Sequence, residues 1–163
     1  MNIVLVGFMG SGKSSTAWYI SQNFGYRYVD TDRLIEKETG MSIKDIFALK
    51  GEQYFRRLEK TIMLTHIRYC EDCVIATGGG MPCHSGHMEQ LKRIGWVFHL
   101  ELDFDEIIRR ISNFDHRPLF NDIDKARQLY QSRKACYEKA HFTIDASGDI
   151  EHIAKRILSQ INT

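Results

Sequence analysis

Close to the start of the chain, Gly7-Phe8-Met9-Gly10-Ser11-Gly12-Lys13-Ser14 satisfies the pattern G-x-x-x-x-G-K-[S/T]. The apolar run over residues 2–6 reads as a buried strand, and residues 13–24 read as a helix. A strand, a glycine loop and a helix in that order form a P-loop. Its glycines let backbone N–H groups curl around phosphate oxygens, and the helix that follows adds the positive end of its dipole. Lys13 is placed to reach β- and γ-phosphates, and the Ser14 hydroxyl to meet Mg²⁺.

The rest of the chain alternates in the same way. Strands are expected at residues 27–29, 73–77, 96–100 and 142–144. Helices are expected at 33–39, 43–50, 52–69, 87–94, 103–112, 122–139 and 150–161. Thr31 or Asp32 is a candidate cap for the helix at 33–39, and Ser42 for the next. Trp18 counts among the apolar positions of the first helix, and Tyr69 lies on the apolar face of the helix at 52–69. Strands alternating with helices give an α/β fold with a parallel sheet, whose ligands bind beyond the carboxyl ends of the strands. The polar clusters follow strands one, two and three, so they should converge at one edge.

With 163 residues the chain suits one domain, residues 1–163. A formal net charge of +1 sets up no bulk field for nucleic acid or an anionic membrane. No apolar run approaches the roughly 20 residues of a membrane helix, and the first residues lack the pattern of a signal peptide. A cytoplasmic protein is therefore expected. Cys70 and Cys73 form a C-x-x-C that precedes a strand instead of following one, so reduced thiols are expected here and at Cys83 and Cys136.

Four further clusters carry potential chemistry. Asp30-Thr31-Asp32 offers two carboxylates, one able to face a hydrated Mg²⁺ and one an acceptor hydroxyl, or else a simple helix cap. Phe55-Arg56-Arg57-Leu58-Glu59 offers a bidentate ligand for a carboxylate or phosphate. Taken alone, Arg56 equally reads as a solvated residue paired with Glu52 or Glu59. Gly78-Gly79-Gly80 suits a place where something approaches the backbone closely. Arg110, Arg117 and Arg133 could each neutralise a phosphoryl or carboxylate group, or simply be exposed charges.

Taken together, the GFMGSGKS loop, the DTD after strand two, FRRLE, TGGG, RPLF and the Arg133/Tyr137 pair resemble the shikimate kinase family over nearly the whole chain. The resemblance implies a P-loop kinase: a three-layer α/β/α fold with a five-stranded parallel sheet, a mobile acceptor-binding helical segment (residues 31–61) and a lid (residues 112–121). It implies transfer of the γ-phosphoryl group of ATP to the 3-hydroxyl of shikimate, with Mg²⁺, ATP and shikimate as the ligands and a monomer as the working form. Gly10, Ser11, Gly12, Lys13, Ser14 and Ser15 would hold the ATP phosphates. Ser14, and Asp30 through water, would hold the metal. Lys13, Asp32 and Arg117 would be catalytic. Asp32, Arg56, Gly79 and Arg133 would bind shikimate. Arg110 would lie against adenine, and Arg117 would reach the phosphates from the lid. Met9, Phe47 and Phe55 are candidates to line the acceptor site.

Two positions depart from the family pattern. Ser15 stands where many relatives have Thr. Near Ser147-Gly148-Asp149, no Arg or Gln is present to sit beside adenine. The competing readings are another small-metabolite kinase such as a gluconate kinase, a nucleoside monophosphate kinase, and a non-catalytic nucleotide-binding module.

Overall fold

The computed structural model describes residues 1–112 and 122–162. Five strands form one parallel sheet in the order β2-β3-β1-β4-β5: β1 (Ile3–Val6), β2 (Arg27–Asp30), β3 (Cys73–Ala76), β4 (Trp96–Glu101) and β5 (Phe142–Asp145). The central strands β1 and β3 are buried at every position, as a parallel sheet covered on both faces requires.

Helices α1 (Lys13–Phe24), α5 (His87–Ile94) and α8 (Ile150–Ile161) have the bounds the periodicity predicts. Helices α1 and α8 pack together, and α5 lies on β4. Helices α2 (Thr31–Thr39), α3 (Ile43–Lys50) and α4 (Glu52–Thr65) pack on one another, and α6 (Phe104–Ser112) and α7 (Ile123–Tyr137) complete the helices among the described residues. Ser42 caps α3, accepting from the Asp45 amide.

Beyond shifts of one or two residues at several element ends, four differences from expectation stand out. Asp30 caps α2, with its side chain accepting from the Asp32 and Arg33 amides, so the helix starts two residues early, at Thr31. Helix α4 ends at Thr65 and is followed by a separate 3-10 turn, Ile67–Tyr69, which leaves Tyr69 73% exposed. Trp18 is 55% exposed and meets Tyr28 edge-on instead of entering the core.

The fourth difference is chemical. Cys83 and Cys136 form a disulfide, where reduced thiols were expected. The 3-10 turn Met81–Cys83 brings Cys83 against α7 with the two Cα atoms 5.4 Å apart, inside the usual range for such a bond. They are 53 residues apart in sequence, so no local spacing signals the pairing. Cys70 and Cys73 are free, and Cys73 is buried in β3.

Strand order positions the site. Strand β3 pairs with β1 on one side and β2 on the other, with Asp30 level with Ala76. The glycine loop after β1, the Asp30–Asp32 corner after β2 and the Gly78–Gly80 turn after β3 therefore leave the sheet side by side. Thr77 fastens the last to the first: both its amide (3.2 Å) and its hydroxyl (2.9 Å) donate to Leu5 O.

Candidate active site

A cleft of about 870 Å³ opens at the carboxyl ends of the strands. Gly10, Ser11, Gly12, Lys13, Ser14 and Ser15 line it, with Asp30, Asp32, Gly78 and Gly79 on one side and Arg110, Gly148 and Asp149 on the other. It thus joins the candidate phosphate, metal and nucleotide-base residues with Asp32 and Gly79 of the acceptor set, while Arg56 and Arg133 do not line it.

Gly12 sits at the N-terminus of α1 with φ 95°, a left-handed conformation that glycine adopts without penalty. No side chain caps this helix, so its first N–H groups and its dipole face the cleft as an anion site. The buried Lys13 ammonium donates to Gly7 O at 2.6 Å and Phe8 O at 3.1 Å, which curls its side chain back over the loop. Behind the loop lies His99, which burial, followed by the Lys13 and Lys134 charges, pushes down to about 4. The imidazole is therefore neutral near pH 7 and adds no positive charge under Lys13.

Ser14 Oγ donates to Asp30 Oδ2 at 2.9 Å, and the Tyr28 hydroxyl donates to the same oxygen at 3.2 Å. Asp30 Oδ1 accepts from the Asp32 and Arg33 amides. A hydroxyl and a carboxylate meeting at the phosphate end of the cleft form an oxygen-only donor set. That set suits a hard divalent cation which keeps most of its waters.

Asp32 follows on the first turn of α2. Burial, and then the nearby Asp30 charge, push its carboxyl up to about 6. Its Oδ1 has no hydrogen-bond partner among the described residues. That atom lies 2.6 Å from where a Cβ on Gly78 would stand, so only glycine admits the carboxylate there. The Thr31 hydroxyl accepts from the Gly78 amide at 3.0 Å and locks the turn to α2. In sequence Thr31 reads as a helix cap; its contact with a loop 47 residues away has no local signal.

Arg56 is 8% exposed, which removes the solvated-face reading. Its guanidinium donates to Glu59 Oε1 at 2.6 Å and to Glu52 Oε1 at 3.4 Å. Burial pushes the Glu59 carboxyl up to about 7 against the pull of Arg56. Helical spacing alone makes Glu59 a surface partner of Arg56, whereas the structure buries it fully beneath this arginine. Arg133, on α7, packs over the Phe8 ring at 6.0 Å. The Arg56 and Arg133 guanidinia meet at Gly80, where a Cβ would collide with both. The Gly79 carbonyl accepts from the Tyr137 hydroxyl at 2.6 Å. The Phe47 and Phe55 rings pack 4.8 Å apart, tilted by 40°, between α3 and α4, and Met9 lines the cleft.

Arg110 Nη2 donates to Ala146 O at 3.1 Å, which places it beside the 148–149 segment. There Asp149 is occupied as the cap of α8. Arg117 and residues 113–121 lie outside the described residues.

A family model described as shikimate kinase matches residues 9–162. A shikimate kinase from Helicobacter hepaticus is 42% identical over 160 residues, covering 96% of this chain and 93% of that protein. The shikimate kinase of Acinetobacter baumannii, solved in complex with shikimate, superposes with a TM-score of 0.90 at 33% identity, covering 98% of this chain and 92% of that one. A gluconokinase from Sinorhizobium meliloti superposes with a TM-score of 0.61 at 14% identity over 97% of this chain and 89% of its own, a likeness of fold alone.

Proposed function

The chain belongs to the shikimate kinase family, and from that premise we propose that Asp32, Arg56, Gly79 and Arg133 form the acceptor half of its site. The enzyme is an ATP-dependent phosphotransferase. It moves the γ-phosphoryl group of ATP to the 3-hydroxyl of shikimate, giving 3-phosphoshikimate and ADP.

The observation that carries the acceptor assignment is the meeting of two guanidinia at Gly80, with the Asp32 carboxylate against Gly78. Shikimate carries one carboxylate and three hydroxyls. The paired arginines match the carboxylate, and the aspartate and the Gly79 backbone match hydroxyls. Asp32, with its carboxyl held near 6, is ionised at neutral pH yet basic enough to take up the hydroxyl proton as the new P–O bond forms. Arg56 and Arg133 orient the ring so that the attacking oxygen faces the phosphate end of the cleft.

On the nucleotide side, the α1 N-terminus and the Gly10, Ser11, Gly12 and Ser15 positions cradle the phosphates, and Lys13 swings from its carbonyl partners to the transferring group. Ser14 and, through water, Asp30 would hold Mg²⁺. When bound, the ion would supply charge neutralisation at the transferring phosphate. Arg110 flanks the base. Arg117, from the lid at 112–121, completes the charge neutralisation, and residues 31–61 move as the acceptor-binding segment of a single domain spanning 1–163. A monomer is the proposed working form. Its need for ATP supports a cytoplasmic enzyme. Among the described residues no helix is long and apolar enough to cross a membrane.

The test is ADP release from MgATP with shikimate, with gluconate and with no acceptor. Turnover with shikimate alone is the expected result. Turnover with gluconate in its place would remove the roles given to Asp32, Arg56 and Arg133. ADP release that ignores the acceptor would mark a nucleotide-binding module.

A further inference from the structure

The Cys83–Cys136 bond lies at the back of the acceptor site. Cys83 ends the 3-10 turn that follows Gly78–Gly80 without a break. Cys136 lies on α7, three residues after Arg133 and one before Tyr137. At helical spacing, Arg133 and Tyr137 lie one above the other on one face of α7, with Cys136 beside them. All three reach the same short stretch of chain. Arg133 Nη1 lies 3.3 Å from where a Cβ on Gly79 would stand, and the Tyr137 hydroxyl bonds Gly79 O at 2.6 Å. The disulfide adds a covalent tie between the two elements that carry these groups. Both cysteines are partly exposed, so small thiols and disulfides can reach them.

We infer that the Cys83–Cys136 pair is a redox-responsive clamp on acceptor binding. Closed, it holds α7 and Arg133 against the 78–80 turn. Opened, it leaves that alignment to Tyr137 and packing. The inference rests on the acceptor site proposed above.

The chemistry is thiol–disulfide exchange with a low-molecular-weight disulfide, RSSR. One cysteine thiolate attacks a sulfur of RSSR, forming a mixed disulfide and releasing RS⁻. The second cysteine thiolate attacks the mixed disulfide, closing Cys83–Cys136 and releasing a second RS⁻. Net, the two cysteine thiols lose two electrons and two protons, and RSSR gains them as two RSH. The reverse reaction opens the clamp under a reducing thiol pool, the state expected of a cytoplasmic protein for most of its life.

The full-length enzyme is equilibrated with dithiothreitol or with oxidised glutathione. Alkylation and peptide mass measurement count the free thiols at Cys83 and Cys136, and KM is measured for shikimate and for ATP in both forms. Reduction should raise the shikimate KM about threefold to tenfold, because one of the two ties survives, and leave the ATP KM within about twofold. Amide exchange over residues 79–83 and 133–137 should quicken in the reduced form. Cys136→Ser should match the reduced enzyme and lose the redox response. The inference fails if both thiols still alkylate after oxidation, or if the shikimate KM is the same in both forms. It also fails if Cys136→Ser keeps the response, which would then belong to Cys70 and Cys73. Absence of shikimate-dependent turnover in both forms would overturn the proposed function itself, and this inference with it.

Discussion

Arg56 and Glu59 meet at 2.6 Å, with the Glu59 side chain at 0% exposure. An ion pair this deep stabilises little by itself, but breaking it strands a charge. Arg56→Ala should therefore have two separable effects. The shikimate KM should rise about a hundredfold with ATP binding nearly intact, since a buried charged partner of the carboxylate is lost. The fold should lose about 3–5 kcal/mol where Glu59 is ionised. In the parent the Glu59 carboxyl stands near 7 with Arg56 pulling it down, so loss of Arg56 raises it further and the variant's deficit should grow as pH rises from 6 to 8. Urea midpoints at the two pH values check this: a deficit no larger at pH 8 would mean that Arg56 does not stabilise the Glu59 carboxylate.

Asp32→Asn should slow the enzyme and stabilise it. Loss of the proton acceptor should cut kcat by about 10²–10⁴. The stability effect follows from linkage. The folded-state value is raised to about 6, above the ordinary carboxylate range. Asp32 therefore contributes stability only while protonated, and that contribution is lost as pH rises through about 6. At pH 7 the Asn variant should melt higher than the parent, and below about pH 4 the two should converge. The same titration should give kcat of the parent an acid limb near pH 6. A flat profile there would remove Asp32 from proton transfer.

Gly80→Ala tests the guanidinium junction without touching a charge. Gly80 has φ −90°, so alanine is conformationally acceptable. Its methyl would collide with both guanidinia. We expect shikimate affinity to fall at least tenfold while nucleotide binding, measured calorimetrically, stays put. Unchanged shikimate affinity would mean that the arginines can splay apart at no cost.

Tyr137→Phe removes the 2.6 Å hydrogen bond to Gly79 O. The expected destabilisation is about 1 kcal/mol, with a modest rise in the shikimate KM. In the Cys136→Ser background the rise should be larger, because both ties would then be gone. Equal effects in the two backgrounds would show that the ties act independently.

Much of this architecture can be read along the chain because the signals are local. Gly7, Gly12 and Lys13 announce the phosphate loop, and Ser42 and Gly51 bracket α3 where they were expected. What escapes reading depends on contacts between distant segments. Asp30 displaces Thr31 and Asp32 as the cap because β2 runs one residue further than its apolar pattern suggests. Glu59 has the spacing of a surface partner of Arg56, and only the packing of α2 and α3 against α4 buries it. Cys83 finds Cys136 only once the 3-10 turn meets α7.

Position 30 shows how little freedom such a corner leaves. One carboxylate begins a helix through its first oxygen, and through its second it receives Ser14 and Tyr28. Asparagine would keep one oxygen and turn a donor toward the other partners. Glutamate would carry both oxygens past the amides they cap. The acceptor segment and the phosphate loop are pinned at this one side chain, so neither half can drift in sequence without consulting the other.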